Sequence, residues 1–229
     1  MTSPETQQRT RVKICGLTRE QDVDAAVAAG ADAIGFVLYD KSPRYVTIER
    51  AAELARRLPP FVTPVLLFVN TSATKIVAAF AHIPRAAIQF HGDESPQQCD
   101  EATQAGTRAY LRAARIPLGD GAASFDLVKY AHDYSNAQAI LLDAHVDGYG
   151  GSGKAFDWSL VPPNVPRPVV LSGGLNPANV TDGVMHVRPW AVDVSSGVEV
   201  AHGLKDASLM REFCDAVREA DARIADAIG

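Results

Sequence analysis

Arg11-Val12-Lys13-Ile14-Cys15-Gly16 is the first run in the chain with the pattern of a buried strand, and its ending decides how the rest is read. Charged and apolar residues alternate until the run stops at a cysteine and a glycine, after which Thr18 is placed to cap a helix starting near Arg19. Cys15 therefore falls at the C-terminal end of a strand. In parallel α/β proteins, and above all in eight-stranded barrels, the strand-to-helix loops converge at that edge and carry the chemistry. A free cysteine taken alone is more often a small buried hydrophobe. The neighbouring units have to decide between packing and reactivity.

Outward from this strand the chain keeps one rhythm. Short runs rich in Val, Ile, Leu and Ala predict strands over 33–38, 63–69, 86–91, 108–113, 139–144, 168–171 and 191–195. Between them, helical spacing and end signals predict helices over 19–30, 47–58, 72–83, 95–106, 125–134 and 177–187, with a long amphipathic one from about 207 to the end. The sixth unit offers only a short turn over 157–161. Near-continuous apolar strands alternating with helices mean a parallel sheet covered by crossovers. Eight such units in 229 residues fit a single (β/α)8 barrel, and no GxGxxG turn follows strand one to favour an open doubly wound sheet. Residues 1–10 form a polar extension expected to be disordered, and 11–229 make up the barrel domain.

Composition narrows the partners. With 47% hydrophobic and 21% charged residues the chain has the balance of a globular protein with a sizeable core. A net charge of −5 argues against a nucleic-acid partner, which requires a dense basic face, while leaving room for a small anionic ligand held by a few local donors. Three cysteines without a CxxC pair suggest neither disulfides nor zinc and fit a reducing cytoplasm. No apolar run is long enough for a membrane span.

Polar residues at strand ends are the candidates for chemistry: Cys15, His91, Asp143 and Asp193, with Arg44 in the second strand-to-helix loop. Asp143 follows Ile140-Leu141-Leu142, so an acid is carried out of a buried strand, where loss of water favours its protonated form. Across the barrel mouth from it, Cys15 would complete a general base and general acid pair, the arrangement for moving a proton between two substrate atoms. That points to isomerisation. Arg44, after Ser42-Pro43, has the fork to hold a carboxylate. Ser172-Gly173-Gly174-Leu175 and Ser195-Ser196-Gly197-Val198 end the last two strands together, where many barrels cradle a phosphate on backbone N–H groups. The stretch from Gly148 to Ala155 approaches a Walker A loop but has Ala155 in place of the magnesium-binding hydroxyl, and Pro162-Pro163 break the helix that should follow. It reads as a loop over the site. The remaining histidines show no metal-ligand spacing, and Cys99 and Cys214 read as packing residues within helices.

Together, Lys13-Ile14-Cys15-Gly16, Ser42-Pro43-Arg44, Gln89-Phe90-His91-Gly92, Leu142-Asp143, the loop Gly150 to Lys154 with Phe156-Asp157-Trp158, Ser172 to Leu175 and Asp193 to Glu199 resemble the phosphoribosylanthranilate isomerases of tryptophan biosynthesis. The resemblance runs from Arg11 to the last helix; Phe90 is a small departure where leucine is more usual. It implies an Amadori rearrangement of N-(5-phosphoribosyl)anthranilate to 1-(2-carboxyphenylamino)-1-deoxyribulose 5-phosphate, without cofactor or metal, by a cytoplasmic monomer or homodimer. It also implies Cys15 as general base and Asp143 as general acid. Arg44 would hold the anthranilate carboxylate, Gly173, Gly174, Ser195, Ser196 and Gly197 the phosphate, and His91 and Asp193 would join the substrate site. Other phosphosugar-binding barrels share the phosphate loops, but an epimerase needs strand-end metal ligands and an indole-glycerol-phosphate synthase needs a catalytic lysine and glutamate. A non-catalytic phosphosugar-binding barrel would have no reason to keep both Cys15 and Asp143.

Overall fold

Successive residues of a strand point to opposite faces, and here the two faces differ in chemistry. In the computed structural model, which describes residues 9–118, 124–144 and 157–227, eight strands pair in parallel and in sequence order. They are β1 (Arg11–Cys15), β2 (Ala33–Val37), β3 (Thr63–Phe68), β4 (Ala87–Phe90), β5 (Tyr110–Ile116), β6 (Ala139–Ala144), β7 (Val169–Leu171) and β8 (Ala191–Val194). β1 also pairs with β8, from Arg11 opposite Ala191 to Ile14 opposite Val194, and this closes the barrel. The outward residues, such as Ile14, Ile34, Leu66, Ile88, Leu142 and Val192, are completely buried in the main core beneath the helices. Inward residues include a small apolar cluster of Ala113, Ala139, Leu141, Val170 and Ala191. Lys13, Gln89 and Asp193, also at inward positions, are buried polar groups.

The covering helices are α1 (Glu20–Ala29), α2 (Ile48–Ala55), α3 (Ala73–Phe80), α4 (Pro96–Thr103), α5 (Leu127–Asp133), α6 (Val180–Val187) and α7 (Ala207–Asp226). Their ends follow local chemistry. α1 stops at Gly30, whose φ of 99° suits glycine. α4 starts with a capping box, Ser95 accepting from the Gln98 N–H while the Gln98 side chain accepts from the Ser95 N–H, and Pro96 fills the first position. Ser95→Ala is expected to cost about 1 kcal/mol of stability, read as a lower urea midpoint at unchanged slope. An unchanged midpoint would mean that water replaces the cap without loss.

Several expectations shift. The sixth unit supplies only a 3-10 turn, Trp158–Leu160, so the described residues contain seven α-helices. Thr18 does not cap α1. Arg19 stands at the cap position without a side-chain bond, because the Thr18 hydroxyl donates to the Gly203 carbonyl at 2.9 Å. The fifth strand starts at Tyr110 rather than 108: Gln104, Ala105 and Gly106 all take positive φ after α4, and Arg108 lies over the Phe80 ring at 4.0 Å. Of the expected polar extension, residues 9 and 10 are described, and both are tied to the barrel domain. Arg9 pairs with Asp32, and Thr10 donates from its N–H and hydroxyl to the Asp221 carboxylate at 2.8 and 2.7 Å. The expected loop over the site, with His145 and Gly148 to Phe156, lies outside the described residues.

One element is absent from the sequence reading. After β8 a short 3-10 turn (Ser196–Val198) leads into an antiparallel hairpin, β9 (Glu199–Ala201) and β10 (Leu204–Lys205), turned by Gly203 at φ 78°. Among the described residues no helix is long and apolar enough to cross a membrane. A concavity of about 590 Å³ opens at the N-terminal mouth, beside Val65, Ala87, Ala139 and Val170. The candidate residues gather at the opposite mouth.

Candidate active site

The inward parity of β1 carries Lys13 and then Cys15 toward the C-terminal mouth. Cys15 is 4% exposed and packs against Val37, Leu67 and Val69, with Tyr39 alongside. Gly35 on β2 makes its room: a Cβ there would meet the Cys15 sulfur at 2.6 Å. Burial pushes the Cys15 thiol above its ordinary range, and the Asp193 carboxylate adds to the push, against the pull of the Lys13 and Lys205 ammonium groups. Lys13 is itself buried and pairs with Asp193 at 2.6 Å. Despite desolvation, Asp193 and Cys15 hold the Lys13 ammonium above its usual range, so it stays charged.

β6 delivers Asp143 to the same mouth, and its neighbours come from β4 and β7. Oδ1 accepts from the Ala144 N–H at 2.9 Å, and Oδ2 lies 3.1 Å from His91 Nε2. Gln89, two residues before His91 on the same inward row, places Nε2 2.9 Å from His91 Nδ1. Gly173 lies against the acid, because a Cβ on it would stand 3.0 Å from Asp143 Oδ1 and 2.8 Å from the Ala144 nitrogen. His91 is thus a direct neighbour of Asp143, a partner that the sequence reading did not give it.

Arg44 is also engaged. Its Nε and Nη2 donate to both Glu199 oxygens at 2.8 and 2.7 Å, a two-pronged clamp on a carboxylate of its own chain. Nη1 has no hydrogen bond among the described residues. Two of the three guanidinium nitrogens of Arg44 are thus committed to Glu199. Lys205, whose side chain is fully buried, donates to Glu199 at 2.7 Å and to the Ser195 carbonyl at 3.0 Å. Burial pulls the Lys205 ammonium below its usual range; it also works against Glu199 ionising, but Arg44 and Lys205 hold that carboxyl below the usual carboxylate range.

The two glycine-rich loops meet backbone to backbone, since a Cβ on Gly197 would fall 1.9 Å from the Leu175 carbonyl oxygen. Gly173 and Gly174 both take positive φ, 79° and 69°, which glycine adopts freely. Two of the candidates have partners within the chain. The Ser195 hydroxyl donates to the Cys15 carbonyl at 3.0 Å and meets Lys205 Nζ at 3.3 Å, so that side chain braces the strand end. Asp193 is held between Lys13 and the Ser172 hydroxyl, 3.2 Å away, and is 5% exposed. There it positions Lys13.

Sequence reading missed Lys13, Gln89, Glu199 and Lys205. Lys13 and Gln89 had a legible signal, each lying two residues before a candidate on the same strand face. Glu199 and Lys205 did not, because a hairpin brings them in. Among the described residues no group of three His, Cys, Asp or Glu side chains is arranged to hold a metal ion.

A family model described as N-(5'phosphoribosyl)anthranilate (PRA) isomerase matches residues 12–216. The chain is 67% identical over 219 residues to the N-(5'-phosphoribosyl)anthranilate isomerase of Leptothrix cholodnii, with 96% of each chain covered. Among solved structures, phosphoribosyl anthranilate isomerase from Thermotoga maritima superposes with a TM-score of 0.81 at 40% identity, covering 92% of this chain and 99% of that one. A further solved phosphoribosyl anthranilate isomerase, in complex with reduced 1-(o-carboxyphenylamino)-1-deoxyribulose 5-phosphate, is 37% identical with a TM-score of 0.77 and the same coverage. The match spans the barrel from its first strand into its last helix, and the chain belongs to the N-(5'-phosphoribosyl)anthranilate isomerase family of tryptophan biosynthesis.

Proposed function

We propose that this isomerase converts N-(5-phosphoribosyl)anthranilate to its 1-deoxyribulose 5-phosphate isomer with Asp143 as general acid and Cys15 as general base. The observation that carries the reading is the pair itself: a thiol at the end of β1 and a carboxyl at the end of β6, both on inward positions of one barrel mouth. Asp143 gives a proton to the furanose ring oxygen, and the ring opens to a Schiff base. Cys15 then takes the C2 proton, leaving an enolamine that ketonises to product. Lys13 and Lys205 favour the thiolate that this second step requires, against the cost of burying it.

The phosphate sits on the backbone N–H groups of Gly173, Gly174, Ser196 and Gly197, with Ser195 contributing through its main chain. Contact between the two loops supports one shared cradle. Its closeness to Asp143 matches a ligand whose phosphate and reacting sugar are joined, as in the reduced product analogue bound by the solved relative. Arg44 offers Nη1 to the anthranilate carboxylate while Glu199 fixes the other edge of the guanidinium. All of these residues come from one chain, so a monomer and a homodimer would run the same chemistry.

The test is a fluorescence assay following loss of freshly generated phosphoribosylanthranilate by wild type, Cys15→Ser and Asp143→Asn. No turnover by folded wild type, or full turnover by either variant, would overturn the reading. Arg44→Ala is expected to raise KM about tenfold to a hundredfold with a smaller change in kcat, because the Nη1 contact is to a carboxylate that does not react and is made in ground state and transition state alike. A loss confined to kcat would assign Arg44 to the chemical step instead.

A further inference from the structure

Gln89 is the polar residue of the barrel interior whose purpose the reaction leaves unexplained. It is completely buried, and its register neighbours on β3 and β5 are Leu67 and Leu111. Among the described residues the one hydrogen bond of its side chain is to His91 Nδ1 at 2.9 Å, made by Nε2, and Oε1 is buried with no partner among them. A half-satisfied amide among leucines is unfavourable, so the position has to serve the imidazole above it.

The hydrogen-bond logic is strict. When the Gln89 amide donates to Nδ1, the neutral imidazole carries its proton on Nε2 and donates it to Asp143 Oδ2, which then accepts as a carboxylate. Rotating the amide by half a turn exchanges its nitrogen and oxygen in the same space. Nδ1 must then carry a proton to donate, Oε1 gains the partner it lacks, and a second proton is shared along the line from Nε2 to Oδ2. In the first orientation the His91 and Asp143 pair holds one proton; in the second it holds two. The surrounding charges are already engaged: Glu94 with Arg112 and the Gly92 N–H, Arg115 with Asp93, and Lys13 with Asp193.

We propose that Gln89 is a positioning residue for the general acid, its buried amide setting by its orientation whether the His91 and Asp143 pair holds one proton or two. The two-proton form is the one that protonates the substrate. This rests on Asp143 being the acid. The second proton enters at Nδ1 from water as the amide turns. At ring opening the proton between Nε2 and Oδ2 leaves the pair and forms the O–H bond on the former ring oxygen, so the pair returns to one proton. The isomerisation as a whole consumes no proton, and the pair is refilled before the next turnover.

The experiment is 15N NMR of the His91 ring in the full chain, combined with steady-state kinetics of Gln89→Met and Gln89→Glu. Methionine fills the same space with no polar end, and glutamate, ionised beside a protonated imidazole, presents only acceptors to Nδ1. In wild type without substrate Nδ1 is expected unprotonated and Nε2 protonated, while Gln89→Glu moves the proton onto Nδ1. Gln89→Met is expected to mix the two forms and lower kcat about tenfold at unchanged KM, the scale of losing a group that orients a working one. Gln89→Glu, with an oxygen facing Nδ1–H, is expected to stay within about threefold of wild type. Wild-type kcat together with wild-type ring signals in Gln89→Met would overturn the proposal. If Asp143→Asn is inactive in the same series, that failure belongs to Gln89 alone; if Asp143→Asn turns over normally, the acid assignment has failed first.

Discussion

Asp143→Asn lowers kcat by about two to four orders of magnitude while KM stays within about threefold, the range for losing a positioned general acid. The substitution keeps shape and most contacts. With its oxygen accepting from the Ala144 N–H, the new amide turns its NH2 toward His91 Nε2, which then has to accept. Asparagine therefore reproduces the hydrogen bonding of the carboxylic acid without an acidic proton, and binding survives while ring opening does not. Stopped-flow or steady-state decay of substrate fluorescence separates kcat from KM, and denaturant unfolding confirms an intact fold. A KM rise with kcat preserved would make Asp143 a binding group.

Cys15→Ser lowers kcat by a similar factor, again with little change in KM. Serine occupies the same niche beside Gly35, but its hydroxyl does not ionise in the range where a thiol does, so the neighbouring lysines have no anion to favour. Cys15→Ala serves as the control for shape. If the thiol were only packing, both variants would keep turnover and lose only stability. The other two cysteines supply the contrast: burial pushes Cys99 up to about 12 and Cys214 up to about 11, and both sit on helices of the outer core. Replacing either leaves kcat unchanged.

Most of the fold was legible because its signals are local. The βα rhythm follows from apolar runs and helix ends, each written within about a dozen residues, and the eight strands form in the expected order. Cys15, His91, Asp143 and Asp193 sit at or next to strand ends, as expected, because a strand's last residue is set by the turn chemistry that follows it. Where expectation failed, a distant group had won a local competition. Thr18 has the chemistry of a helix cap, yet its hydroxyl goes to Gly203, 185 residues away. Arg44 keeps the fork chemistry read from its sequence, but the group on one edge of that fork, Glu199, comes from 155 residues away, where no local signal announces it.

The sequence by itself determined the architecture, the mouth at which the candidate residues gather, the two glycine loops and the strand-end places of Cys15 and Asp143, since periodicity, turn residues and strand-end position are properties of short segments. Only the tertiary structure decided who partners whom. Lys13 meets Asp193 because β1 closes on β8 in one register, and Gln89, His91 and Asp143 align because β4 and β6 face one interior. Those pairings depend on barrel closure. Closure brings together inward rows from opposite ends of the chain, and inside a low-dielectric barrel each buried charge or amide must take whichever partner that geometry supplies.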